Sequence, residues 1–182
     1  MRTAFFSREE GVQILEFALV LPLLVVFVVA IYDFGQAFNV KEKLNFAAKD
    51  AARFGAALPT NDLTQTTPIS VTAIRDLVDA DLINSGINDC GLGPIQLTAS
   101  LTWTATGSCS VTSNFTVTID RGFVFNSGPQ GGNEPLKIIA TRVDISYPYQ
   151  WRFGGVIKLI APGSTTPGIT QIETDAIAAN QD

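Results

Sequence analysis

Residues 11–31 read GVQILEFALVLPLLVVFVVAI, and this stretch decides the architecture of the chain. Its only formal charge is Glu16, and it supplies the roughly 20 apolar residues that a helix needs to cross the hydrocarbon core of a bilayer. A charged side chain in such a helix is costly and needs a partner, which the stretch itself lacks. If the chain is cut after Gly11, however, Val12 gains a free α-amino group four residues before Glu16. The ammonium of one subunit would then neutralise the carboxylate of its neighbour.

The same residues resemble the signal of type IV prepilins, in which a short polar leader ends in Gly and the fifth mature residue is Glu. Residues 11–22, GVQILEFALVLP, resemble more closely the TadE-like minor pilins of tight-adherence (Tad/Flp) pilus systems. The similarity continues through DFG at 33–35 and the alanine-rich residues 47–55. Phe17 stands where the major pilins of these systems usually carry Tyr, and those major pilins are much shorter. Both differences favour a minor pilin.

The resemblance implies a division of the chain into three parts and a processing step. Residues 1–11 would be a prepilin leader, residues 12–58 a transmembrane pilin helix, and residues 59–182 an extracytoplasmic α+β domain. A prepilin peptidase would cut between Gly11 and Val12. The residues expected to act in subunit assembly are Val12, Glu16, Phe17 and Pro22.

The resemblance also implies a location and a set of partners. The protein would sit in the bacterial inner membrane with its C-terminal domain outside the cytoplasm, and would then reach the pilus or cell surface. Its partners would be other pilins of the same pilus, the prepilin peptidase and the inner-membrane assembly platform. The pilus would serve surface adhesion or a related secretion task.

Two other interpretations of the apolar segment remain open. An uncleaved membrane anchor has no need of Gly11 and tolerates Glu16 poorly. A secretory signal peptide would be cut before Ile31, after the small residues 28–30, but this leaves Glu16 and Pro22 unexplained. The corresponding alternative function is a secreted or membrane-anchored domain whose sheet binds a carbohydrate or another surface ligand.

Composition excludes several classes of function. The chain has 182 residues, a formal net charge of −5 and no histidine, and its length allows one globular domain beyond the membrane segment. An acidic chain without clustered Lys and Arg is unsuited to nucleic acid. The commonest general base is missing, and no hydrolase, phosphate-loop or zinc motif is present. We therefore expect a non-enzymatic protein with no cofactor, no metal and no nucleic-acid partner.

Cys90 and Cys109 are the two cysteines of the chain, and neither lies in a CxxC or metal-ligand spacing. Two lone cysteines beside strand-like sequence in an exported domain predict one disulfide, and two buried thiols are the alternative. Together with the leader, such a disulfide predicts that the N-terminus lies in the cytoplasm and most of the chain outside.

The periodicity of apolar residues predicts an α+β fold with a long N-terminal helix, a short helix and an antiparallel sheet. The first helix ends at Leu58, before Pro59. A second helix covers residues 70–84 and ends at Ser85-Gly86. Strands are expected from Ile95 onward, with turns at residues 106–108, 127–135 and 161–164. In the first helix, one apolar stripe is formed by Phe34, Ala37, Phe38, Leu44, Ala48, Ala51 and Gly55. The predicted buried face of the second helix consists of Val71, Ile74, Leu77, Val78 and Leu82. In the strands, the apolar residues that alternate with polar ones or share one face are Leu97, Ala99, Leu101, Trp103, Phe115, Val117, Ile119, Val143, Ile145 and Tyr147.

Two weaker patterns have ordinary explanations. Acidic side chains gather at residues 76–89 without the order of a calcium loop, so a solvated helix face is expected there. Trp151, Arg152 and Phe153 follow two tyrosines and are suited to binding a sugar or a partner, but packing in the core is expected instead.

Overall fold

The computed structural model describes residues 8–110, 113–127, 136–153, 163 and 168–181. Its elements are α1 (Arg8–Ala56), α2 (Ile69–Asn84), β1 (Gln96–Ala99), β2 (Thr102–Ser110), β3 (Ser113–Ser127), β4 (Leu136–Gln150) and β5 (Ile169–Ala179). The strands form one sheet in the order β1-β2-β3-β4-β5, and β1, β2, β3 and β4 pair antiparallel in sequence. The predicted α+β class, with a long helix, a short helix and an antiparallel sheet, is confirmed.

The described residues fall into two compact units. One is drawn from positions 1–37 and 150–168, and the other from positions 38–149 and 169–182. The second unit contains the last turns of α1, all of α2 and nearly all of the sheet.

The core of the second unit lies among α1, α2 and the sheet. Trp103 on β2 is fully buried there, and its indole Nε1 donates a hydrogen bond to the carbonyl oxygen of Thr66 at 3.0 Å. The alternating residues predicted on β3 and β4 are buried, except Tyr147, which is half-buried against the core. The principal core side chains are Leu44, Ala47, Ala48, Ala51, Ala52, Val71, Ile74, Val78, Leu82, Trp103, Phe115, Val117, Ile119, Val143 and Ile145.

The helices follow the predicted pattern with a few differences. Helix α2 buries the predicted face except for Leu77, which is half-buried, and Gly86 follows its end with a φ of 72° that a glycine adopts without strain. Helix α1 already includes Arg8 and ends at Ala56, two residues before the predicted end. On the apolar stripe of α1, Leu44, Ala48 and Ala51 are buried, whereas the side chains of Phe34 and Phe38 are 49% and 67% exposed.

The first strands differ more from the prediction. The alternation from Leu97 to Trp103 spans two strands, because the chain turns at Leu101, whose φ is 56°. Leu97 and Leu101 are consequently exposed rather than buried. The turn predicted at residues 106–108 is also wrong. Gly107 lies inside β2 opposite Phe115, and a Cβ there would be 2.9 Å from the carbonyl oxygen of Asp89. Glycine is needed at this position for close backbone approach.

Two predicted turns lie mostly outside the described residues. Strand β3 ends at Ser127, and residues 128–135 fall in the part of the chain that the structure does not describe. Of residues 161–164 only Gly163 is described, and it lies in a turn with a φ of 103°.

Candidate functional site

Between residues 12 and 31 the surface of α1 is almost entirely apolar and largely exposed. The helix has the length and composition to cross a membrane, and its most apolar 18-residue window has a mean hydropathy of 3.0 with none of the window buried. Ile14, Leu19 and Ile31 are each more than 70% exposed. A continuous apolar surface of this kind is stable only against lipid or against other apolar helices.

The predicted processing and assembly residues share this surface. The backbone of Gly11 and Val12 is helical, so the bond between them lies inside the hydrogen-bonded turns of α1. Val12 and Glu16 are separated by four residues and therefore lie on one face of the helix. Both side chains are exposed, as is Phe17.

Pro22 lies inside α1 rather than at its end. A proline at this position has no N–H to donate, so the carbonyl of Ala18 loses its usual helical hydrogen bond. Membrane helices tolerate this loss where neighbouring helices or local adjustments satisfy the carbonyl. The free carbonyl of Ala18 is therefore a second polar group, besides Glu16, on this otherwise apolar part of the helix.

Asp33 is a buried acidic residue of α1, with only 1% of its surface exposed. Its carboxylate Oδ2 accepts hydrogen bonds from the backbone N–H groups of Arg152 at 2.7 Å and Phe153 at 2.9 Å. Hydrogen bonds to a charged group each contribute about 1.5–3 kcal/mol. The position of Asp33 directly after the apolar run was the available signal, since a charge there needs a partner.

The residues next to Asp33 and its backbone partners carry three aromatic rings that pack together. The ring of Phe34 lies edge-to-face with Trp151 at 5.0 Å between centroids, and is stacked on Phe153 at 6.3 Å. Trp151 and Phe153 also meet edge-to-face at 5.5 Å. We call Asp33, Phe34, Trp151, Arg152 and Phe153 the aromatic clamp. The stretch 151–153 thus packs on α1 and not, as expected from the sequence, in the core, and its two rings are only half-buried.

The cysteines are joined in the structure. Cys90 lies in the loop before β1 and Cys109 on β2, with 4.6 Å between their Cα atoms and their sulfurs at bonding distance. The bond closes a loop of 19 residues in sequence separation, for which the chain-entropy estimate is roughly 3 kcal/mol.

The acidic residues near α2 do not form a metal site. Among the described residues, no three carboxylates, cysteines or histidines are grouped to hold an ion. Burial raises the pKa of Asp81, and the negative charge of Asp50 raises it further. Burial likewise raises the pKa of Asp79, although Arg75 opposes the effect. These two side chains are half-buried rather than fully solvated, which departs from the expectation of an exposed acidic face.

The outer surface of the sheet carries one shallow polar cleft of about 280 Å³, lined by Asp120, Arg142, Asp144 and two threonines. Arg142 bridges Asp144 and Asp175, at 3.3 Å each. Burial raises the pKa of Asp144 in spite of this contact with Arg142. The cleft is open and occupied by its own ion pairs, so no group in it points to a ligand.

Comparison with known proteins supports the family resemblance of the N-terminal part of the chain. No match was found among curated proteins or among solved structures. A model of the family described as TadE-like protein matches residues 11–53, which run from the proposed cleavage position to the last turn of α1. The sequence resemblance is therefore confirmed: over residues 11–53 the chain matches the TadE-like protein family.

Proposed function

We infer that this protein is a minor pilin, or pseudopilin, of a Tad-type pilus. It is a structural, non-enzymatic subunit that is held in the inner membrane by α1 and then enters or primes the filament. The observation that carries the proposal is the uncovered apolar surface of α1, with Glu16 as its one charge between residues 12 and 31, within a TadE-like segment. The partners are other pilins, the prepilin peptidase and the inner-membrane assembly platform.

Insertion follows from length and polarity. Residues 12–31 rise about 30 Å at 1.5 Å per residue, which matches the hydrocarbon core of a bilayer. The globular part follows on the outer side of the membrane, where a disulfide between Cys90 and Cys109 is chemically stable.

Glu16 sets the register between subunits. Its carboxylate costs on the order of 2.5–3.5 kcal/mol at the centre of a membrane helix on insertion scales. The α-amino group of a mature Val12 on a neighbouring subunit neutralises this charge. A buried ion pair contributes little net stability, but it can select one axial alignment among many that apolar packing permits.

The mature N-terminus tests the processing step. The intact mass of the protein purified from its host membrane should be that of a chain beginning at Val12. A chain beginning at Met1 would instead indicate an uncleaved anchor. A chain beginning at Ile31 would indicate a signal peptide and a secreted binding domain.

Incorporation into sheared pili tests the role of Glu16. Glu16→Val should insert at least as well as the natural chain and be cleaved after Gly11, but be lost from the pilus fraction. Gln13→Val is the matched control, because it removes a polar side chain from the same exposed helix without removing a charge. Normal incorporation of Glu16→Val would show that Glu16 serves only in recognition by the peptidase.

A further inference from the structure

We propose that the aromatic clamp, together with Tyr32, is an interfacial anchor that binds the headgroup layer on the outer side of the membrane. This inference rests on the proposed insertion of α1, and it assigns a second membrane-binding element that is distant in sequence from the first. Its ligand is the lipid surface itself: the phosphate-rich boundary between hydrocarbon and water.

The position of the clamp along α1 matches that boundary. The apolar run ends at Ile31, about 30 Å along the helix from Val12, where the hydrocarbon core ends. Tyr32 and Phe34 follow directly, and their side chains are 59% and 49% exposed. Trp and Tyr concentrate at membrane interfaces because their rings are apolar and their edges carry a polar group.

The chemistry of the clamp fits the same layer. Trp151 and Phe153 are half-buried against Phe34, so part of each ring remains available to lipid. Arg152 between them is exposed, and its guanidinium can bind lipid phosphates through paired hydrogen bonds. The exposed parts of the rings and the guanidinium of Arg152 thus lie together, directly beyond the proposed membrane-spanning residues.

Asp33 is the positioning residue. Its Oδ2 holds the N–H groups of Arg152 and Phe153, so a buried carboxylate fixes the backbone that carries the clamp. The two hydrogen bonds connect α1 to residues about 120 positions later in the chain. Without them, Trp151 and Phe153 would lose a fixed position beside Phe34.

Depth-dependent quenching of Trp151 tests the proposal with the full chain reconstituted in phosphatidylcholine vesicles. The fluorescence difference between the natural chain and Trp151→Phe isolates Trp151 from Trp103, which is buried in the core. We expect bromines near the headgroups to quench this difference signal at least twofold more than bromines at the acyl-chain ends, and aqueous iodide to quench it weakly. Strong iodide quenching without bromolipid quenching would overturn the proposal.

Two further measurements, flotation with the vesicles and dilution of the protein in lipid, separate the alternatives. If the natural chain fails to float with the vesicles, the insertion proposed above fails and the anchor fails with it. If it floats while Trp151 stays accessible to iodide, only the anchor is refuted. If a tenfold lower protein-to-lipid ratio exposes Trp151 to iodide, a second copy of the chain and not lipid had shielded it. That result also refutes a lipid anchor.

Variants at Asp33 test its positioning role. Asp33→Ala should increase iodide quenching of Trp151 about twofold, while Asp33→Asn should do so less, because its amide oxygen still accepts hydrogen bonds. Glu42→Ala removes an exposed acid from the same helix and should leave the quenching unchanged. Equal quenching in Asp33→Ala and the natural chain would refute the positioning role.

Discussion

Gly55→Ala and Gly35→Ala make the same change in helix α1, but only Gly55→Ala should lower the free energy of unfolding. A Cβ added at Gly55 would lie 2.7 Å from Ile74 Cδ1 and 2.9 Å from Thr141 Cγ2, both of them side chains with no exposed surface. Thr141 cannot turn away easily, because its hydroxyl donates a hydrogen bond to Asn180 Oδ1 at 2.7 Å. At Gly35, by contrast, no heavy atom of the described residues lies within 4 Å of the added Cβ.

The magnitudes follow from packing and helix propensity. Overfilling a packed core costs about 1–3 kcal/mol. Alanine is better than glycine in a helix interior by up to about 1 kcal/mol, and by less near a helix end. Gly55→Ala should therefore destabilise the second unit by about 1–2 kcal/mol and lower its midpoint by roughly 3–10 °C. Gly35→Ala should be neutral or slightly stabilising.

Thermal unfolding of the full chain in detergent micelles, followed by near-ultraviolet circular dichroism, measures both effects. The cause is tested by adding Ile74→Val, which removes the closest atom, Cδ1. Ile74→Val alone should cost about 0.5–1.5 kcal/mol. Combined with Gly55→Ala it should cost clearly less than the sum of the two single changes. Additive losses would show that crowding against Ile74 is not the reason that position 55 requires glycine.

Three other outcomes are expected. Reduction of the Cys90–Cys109 bond should lower the free energy of unfolding by roughly 3 kcal/mol, and reduced and non-reduced samples should differ in electrophoretic mobility. Two alkylatable thiols in protein from the cell envelope would contradict the presence of the disulfide. Because burial raises the pKa of Asp79 and Asp81 above the ordinary 3.8, the folded state binds their protons more tightly, so the unfolding free energy should rise as pH falls from 7 through those pKa values. Asp81→Asn should reduce that rise in denaturant titrations at several pH values, and an undiminished rise would implicate other groups. Gly11→Ala should be cleaved poorly after position 11, as read by intact mass, because a small flexible residue eases entry of the backbone into the peptidase.

Local patterns in the sequence predicted most of the architecture. The long apolar segment of α1, the buried face of α2 and the alternating residues of β3 are visible in the sequence as an apolar run and as short-range periodicity. The turn at Leu101 was not predictable in this way, because leucine at a positive φ carries no turn signal. Gly107 was mistaken for a turn residue because its neighbour, the backbone of Asp89, comes close only in the folded domain.

Asp33 shows the same limit at the candidate site. Helical periodicity assigns a charged residue to solvent unless a partner is known, and the partners of Asp33 lie about 120 residues later. The sequence contained both halves of the aromatic clamp, but nothing in local spacing joined them. Only the cost of a charge beside a membrane segment indicated that a partner had to exist.

The alanine-rich end of α1 bears directly on how subunits would pack. Small side chains at residues 47–56 suit close approach of a second backbone, and the sequence leaves open whether that backbone belongs to the same chain or to another subunit. In the structure Ala47, Ala48, Ala51 and Ala52 are buried against α2 and the sheet of their own domain. These positions are therefore unavailable for helix packing between subunits while the domain is folded. Contacts between the helices of neighbouring subunits would then fall to the exposed parts of α1, which are residues 12–31 and the exposed rings of Phe38 and Phe46. Within residues 12–31, Glu16 is the one charge that can fix their alignment.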